Sequence, residues 1–448
     1  MIHISQTDVS NLLIKNGSVV FPHGVVKTDI VVENGVIAGF ARTSALRGAE
    51  IIDAVGLLVF PGFVDEHVHF REPGYESKED FQSGSAAAAA GGVTTVLEMP
   101  NTSPPVVDVK ELRRKAEIVK NKSFVDYALY GVLNDENIDE IDELYEAGAV
   151  GFKAFLGPTT GDIATPSDAT LFEALTKSAK KQYTIGFHCE NRNLVHYFEQ
   201  KARQQPVSPL SHLYSRPAIC EVDSVRKINY FAAKTGGNVL IVHLSSGEAV
   251  DYLQNEKSPS VTVETCPHYL LLDSTAYEKH GTLMKVNPPI RFPEDRSKLV
   301  EAVQLGLITN IGSDHAPHTL EEKQRPVLEA PAGMIGVELM GPLLVDAALK
   351  GIIPITKISE ILAANSARTF GLYPKKGGLT IGSDGDFAIF DPRTPDTIHS
   401  SRLHSKQKFT PFDGYEVSAT LRYTILRGEV IYRDGKLIDN RIGQWVKH

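Results

Sequence analysis

The sequence predicts an α/β fold: a (β/α)8 barrel of the TIM type over residues 59–369, with a small β-sandwich formed by both chain ends, 1–58 and 370–448. Three observations lead there. Apolar runs of strand length recur through the middle of the chain, each followed by a stretch of helical character. The two ends alternate apolar and polar residues around Asn-Gly and related turns. Side chains able to bind metals collect where the central apolar runs finish.

At the amino end, LLIKNGSVVF, KTDIVVENGVIAGF and AEIIDAVGLLVF have the period-two pattern of half-buried strands. Too few strands lie there to be stable alone, so a partner sheet is required. The carboxyl end supplies it: GDFAIFDP and ATLRYTILRGEVIYRDGKLI repeat the pattern, with turns expected at Arg427-Gly428 and Asp434-Gly435. Between the ends come LLVFPGFVDEHVH, VTTVLEMP, FVDYALYGV, AVGFKAFL, YTIGFHCE, NVLIVHLS, SVTVETCPHYLLL and LITNIGSDHAP. Near-continuous apolar runs suit parallel strands covered on both faces. Intervening segments such as SGSAAAAAGG and VKELRRKAEIVKN suit the helices of a barrel, which typically needs about 250 residues before insertions.

Composition narrows the function. A formal charge of -9 argues against nucleic acid as a partner. Three cysteines, Cys189, Cys220 and Cys266, without a C-x-x-C pair argue against a disulfide framework and suit a reducing cytoplasm. Met1–Leu13 lacks the pattern of a signal peptide, and no apolar run is long enough to cross a bilayer, so no membrane partner is expected. A homo-oligomer is left open.

His67 and His69 end the first central run, Lys153 lies in the fourth, His188 ends the fifth, His243 the sixth, and Asp314 follows the eighth. In a TIM barrel these positions converge on one mouth, where active sites are built. Residues two apart on a strand point the same way, so His67 and His69 can grip one ion. Neutral imidazole and carboxylate are good zinc ligands. Singly, each residue has a bland explanation as a core histidine, a snorkelling lysine or a loop aspartate; their joint position carries the argument. Lys153, among apolar neighbours, is pushed toward the neutral amine. Such an amine can take up carbon dioxide, and the resulting carbamate can bridge two Zn2+ ions. His67, His69 and Asp314 would then serve one ion, and His188 and His243 the other.

The ordered series FVDEHVHFREPG, GGVTTVLEMPNT, GFKAFLG, FHCEN, VHLSS, ETCPHYLLL, VNPPIR and GSDHAPHT resembles the cyclic amidohydrolases, a family of dihydroorotases, allantoinases and hydantoinases. The resemblance spans nearly the whole chain and implies a binuclear zinc hydrolase bridged by carbamylated Lys153, with Asp314 as the catalytic acid-base. It also implies a small-molecule substrate. Similarity to dihydroorotases assigns Arg71, Asn101 and His318 to a substrate carboxylate, and Asn287 with the backbone of Pro331 to Gly333 to the ring. Arginine is a natural partner for a carboxylate. Dihydroorotate cleavage, in pyrimidine biosynthesis, is therefore the expected activity.

Allantoinase is the rival, because YSRPAICEV and YTILRGEVIYRDG resemble that branch and the hydantoinases. Allantoinases generally lack the arginine of REPG, the asparagine of MPNT and the histidine of DHAPH, all present here. A metal-free structural homologue is disfavoured because all six ligands are present. Asp162 is read as a loop residue rather than a bridging ligand. The segment HAPHTLEEKQRPVLEAPAG is expected to lie over the barrel mouth without a long helix.

Overall fold

The computed structural model describes residues 11–40, 49–161 and 163–448; the first ten residues, residues 41–48 and Asp162 lie outside the described residues. The central runs form parallel strands in the order Phe63–Val68, Val93–Glu98, Asp126–Leu129 with Gly131–Val132, Phe152–Phe155, Thr184–His188, Asn238–Ile241, Val261–Thr265 and Asn310–Ile311. Tyr130 interrupts the third strand, and its N–H donates to the Glu98 carbonyl at 3.1 Å. The last strand meets the first just beyond its end, where Val68 bridges His315 and the His69 N–H donates to the His315 carbonyl at 2.8 Å. Nearly every strand residue is buried, as expected when helices cover one face and packed side chains the other.

Two expected runs divide. In LLVFPGFVDEHVH, Leu58–Pro61 joins the sheet of the chain ends, while Phe63–Val68 enters the barrel. Gly62 makes the crossing: a Cβ there would lie 2.2 Å from Thr94 Oγ1 and 2.9 Å from Asp386 Cβ, so no larger residue fits between the two sheets. In SVTVETCPHYLLL only Val261–Thr265 is strand; Pro267–Leu271 is a helix with proline in its first turn. An apolar run alone does not tell strand from buried helix, whereas Pro267 marks a helix start.

Both chain ends share one nine-stranded sheet. Its seam is Leu58–Pro61, parallel to Leu12–Phe21 on one side and antiparallel to Phe387–Asp391 on the other, with Val59 opposite Ile389. The turns Asn34-Gly35, Arg427-Gly428 and Asp434-Gly435 all have positive φ at both residues, the geometry of tight hairpins matched to strand twist. Buried Lys376 ties sheet to barrel through Asp384 at 2.7 Å, Asp386 at 3.0 Å and barrel residue Asp126, which Arg427 also meets. Residues 443–446, within the stretch expected for the sandwich, instead run beside the third barrel strand: Val446 N–H donates to the Tyr127 carbonyl at 2.8 Å. Among the described residues no helix is long and apolar enough to cross a membrane.

Candidate metal centre and active site

The strands and the residues just beyond them deliver His67, His69, Lys153, His188, His243 and Asp314 to the lining of one cavity of about 50 Å3. Three neighbouring positions have positive φ without being glycine: Arg71 at 66°, His243 at 44° and Asp314 at 45°. Such conformations cost roughly 1–3 kcal/mol each and gather at functional sites, where surrounding contacts enforce them.

The donor atoms fit metal binding. His67 Nε2 and His69 Nε2 each lie 3.4 Å from Asp314 Oδ1. Ligands about 2.1 Å from a tetrahedral ion are roughly 3.4 Å apart. The outer nitrogens are already engaged: His67 Nδ1 meets Glu264 Oε1 at 2.8 Å, and His69 Nδ1 meets Asn101 Oδ1 at 2.8 Å. With those N–H groups donating outward, both Nε2 lone pairs point inward. Burial, reinforced for His67 by Lys153, lowers both imidazoles to about 3, so they are neutral at pH 7.

The second half is built alike. His188 Nδ1 and His243 Nε2 are 3.0 Å apart, and His188 Nε2 donates to Glu190 Oε2 at 2.9 Å. Arg216 Nη1 holds the same carboxylate oxygen at 2.6 Å. Between the two halves, Lys153 Nζ is buried without a hydrogen-bond partner among the described residues. Burial lowers its ammonium to about 8, against partial compensation from Glu264 and Asp314. An orphaned, partly neutral amine amid four neutral imidazoles and a carboxylate lacks only a counter-partner.

The expected substrate residues separate. Arg71 lines the cavity, is buried and makes no ion pair to a carboxylate among the described residues; its Nε donates to the Pro317 carbonyl at 3.2 Å. His318 stands behind it, outside the lining. Lys78 donates to His318 Nδ1 at 3.0 Å, and His318 Nε2 donates to the Ala332 carbonyl at 3.1 Å, so neither nitrogen is free.

Asn101 lines the cavity, but its amide is used at both ends, accepting from His69 and donating to the Thr160 carbonyl at 3.2 Å. In this structure the Asn101 amide orients His69 and holds the Thr160 carbonyl, while His318 lies beside Arg71, its Nε2 3.4 Å from Arg71 Nη2. Asn287 lines the cavity with its Oδ1 buried and unpaired. Gly333 lines it too, although its N–H donates to the Lys285 carbonyl at 2.8 Å; Pro331 does not, and its carbonyl accepts from Lys323 at 3.1 Å. Lys323 also holds the Lys285 and Gly333 carbonyls, pinning the loop at the mouth. Its only helix is Leu320–Lys323.

Sequence reasoning missed Glu264 and Glu190. Glu264 accepts from both His67 Nδ1 and the His243 backbone N–H, the latter at 2.9 Å, and thus joins the two halves. Its location near the end of the seventh strand, in ETCPHYLLL, is the signal that could have found it.

The model of the amidohydrolase family matches residues 58–431. An allantoinase of Deinococcus radiodurans is 33% identical over 98% of each chain, and a dihydroorotase of Methanothermobacter thermautotrophicus is 37% identical over 92% of each; likeness alone does not choose between those names. Among solved structures, the L-hydantoinase (dihydropyrimidinase) of Arthrobacter aurescens superposes with a TM-score of 0.94 at 31% identity, covering 98% of this chain and 100% of its own. The chain belongs to the amidohydrolase family.

Proposed function

We propose that the protein is a zinc-dependent cyclic amide hydrolase of the dihydroorotase type, interconverting dihydroorotate and N-carbamoyl-aspartate. The observation that carries the substrate assignment is Arg71. A buried guanidinium with no carboxylate partner is costly, and a substrate carboxylate beside the ring amide would complete it.

His67, His69 and Asp314 would hold zinc, His188 and His243 would hold a second ion, and Lys153, as its carbamate, would supply a further anionic ligand. Bound zinc supplies a polarised ring carbonyl and lowers the pKa of water. Asp314 takes the proton of the attacking water and passes it to the ring nitrogen as the C–N bond breaks and the new C–O bond forms. Reversal of the same steps closes the ring. Arg71 orients the substrate carboxylate, Asn101 and Glu264 hold the histidine tautomers, and Asn287 faces the ring.

Allantoinase is the second reading, favoured by the Deinococcus relative. Its neutral substrate would leave Arg71 unpaired. A side-by-side assay of the zinc-loaded protein with dihydroorotate, allantoin and dihydrouracil decides. Preference for dihydroorotate is expected; efficient allantoin cleavage with no action on dihydroorotate replaces this reading.

A further inference from the structure

Beyond a wall formed by Asn287 and Ala332 lies a second chamber of about 160 Å3, which the metal site does not use. Arg203, Arg216 and Lys285 line it, against a single carboxylate, Glu199. Arg216 is 4% exposed. Its Nη1 and Nη2 reach Glu190 and Glu199, at 2.6 and 3.2 Å, but its Nε is buried without a partner among the described residues. Lys285 is 7% exposed, and among the described residues its ammonium donates only to the Val327 carbonyl, at 2.7 Å.

The charge does not balance. Glu190 is already divided between Arg216 and His188, and Glu199 answers only one edge of Arg216. His212, also in the lining, donates Nε2–H to the Val286 carbonyl at 2.8 Å, and burial keeps it neutral. Burial, and then Arg216, push the Lys285 ammonium down to about 8, with Glu199 offsetting part of the shift. Asn287 Oδ1 is unpaired in the dividing wall, and turning that amide would offer its N–H donors to an acceptor in the chamber.

We propose that this chamber binds a small oxyanion, a carboxylate or phosphate group, between Arg216 and Lys285. Such a group would accept from the spare Lys285 donors, and from Arg216 Nε once the guanidinium turns toward it, as charge-assisted hydrogen bonds. The site stands whichever cyclic amide is cleaved. Two sources share its chemistry: free inorganic phosphate, or a carboxylate of the acyclic acid released by ring opening.

The test is calorimetric titration of inorganic phosphate into the zinc-loaded protein at constant ionic strength. Saturable binding is expected, weakened at least about tenfold by Lys285→Met, which removes a partly buried cation. A several-fold loss is expected for Arg203→Gln, an exposed side chain at the end of the helix Arg192–Arg203, whose replacement keeps the test available should Lys285→Met not fold. Displacement of phosphate by N-carbamoyl-aspartate in wild type but not in the variants assigns the site to the acyclic acid. Phosphate binding indifferent to that acid assigns it to a free anion. Absence of saturable phosphate binding, or binding unchanged in the folded variants, overturns the proposal. Phosphate binding requires no turnover, so this result is independent of the substrate assay.

Discussion

Replacing Asn101 by alanine separates two roles that the sequence could not distinguish. In the structure Asn101 Oδ1 is 2.8 Å from His69 Nδ1, and Asn101 Nδ2 is 3.2 Å from the Thr160 carbonyl. The alanine variant leaves the buried His69 Nδ1–H without an acceptor, at about 1–3 kcal/mol. It also lets the ring adopt the tautomer whose Nε2 lone pair is lost. A cost near 2 kcal/mol corresponds to about 30-fold in affinity, within the 10- to 100-fold range for loss of a ligand-orienting partner. The assay is zinc competition between the apo-protein and a chromogenic chelator, for wild type, Asn101→Ala and Asn101→Asp. Alanine should release zinc about 30-fold more readily, and aspartate, which keeps an acceptor at the same distance, should recover most of the loss. Unchanged zinc affinity in the alanine variant, with a raised KM for the acidic substrate, would refute the positioning role and restore Asn101 to the carboxylate.

Four further outcomes are expected. Lys153→Ala should lose both zinc ions and activity by metal analysis and turnover assay; two retained zincs with full turnover would end the bridging argument. Asp314→Asn should abolish turnover in both directions, and near-normal rates in either would remove Asp314 from proton transfer. Arg71→Ala should lower kcat/KM for dihydroorotate by the equivalent of about 2–5 kcal/mol while zinc content stays at the wild-type value, and Arg71→Lys should recover only part. His404 is raised above its ordinary value mainly by its bond to Glu338 at 2.8 Å, so its contribution is fully present below about pH 6.5 and fades as pH rises through the folded value. The stability gap between wild type and His404→Gln, read from urea midpoints, should therefore shrink from pH 5.5 to pH 9; a gap constant with pH would contradict this.

The candidate ligands were legible because all but Lys153 sit where an apolar run stops, and barrel topology brings these positions to one cavity. Their supports were not. Glu264 meets His67 across 197 residues of sequence, and its place near a strand end is a local signal that does not show which histidine it holds. Likewise a one-dimensional pattern cannot show that Asn101 meets His69 Nδ1 or that Lys78 meets His318 Nδ1. Arg71 lines the cavity, and among the described residues no carboxylate pairs with it. Boundaries failed where physics is ambiguous: Pro61 and Phe63 look like one strand until Gly62 is seen between two sheets, and CPHYLLL is apolar enough for either state.

The seam at Leu58–Pro61 bears on how the chain can be made. Val59 pairs with Ile389, about 330 residues later. At 5–20 residues per second, a ribosome takes roughly 15 to 65 s to deliver that partner. Through that interval the first strands have an open edge carrying Val59 and Phe60, both fully buried at the end. Unpaired apolar edges are templates for association with other chains. The nascent amino-terminal segment must therefore be shielded, or stay unpaired, until the last sixty or so residues emerge; a message cut short before Phe387 would yield a chain whose edge can never close.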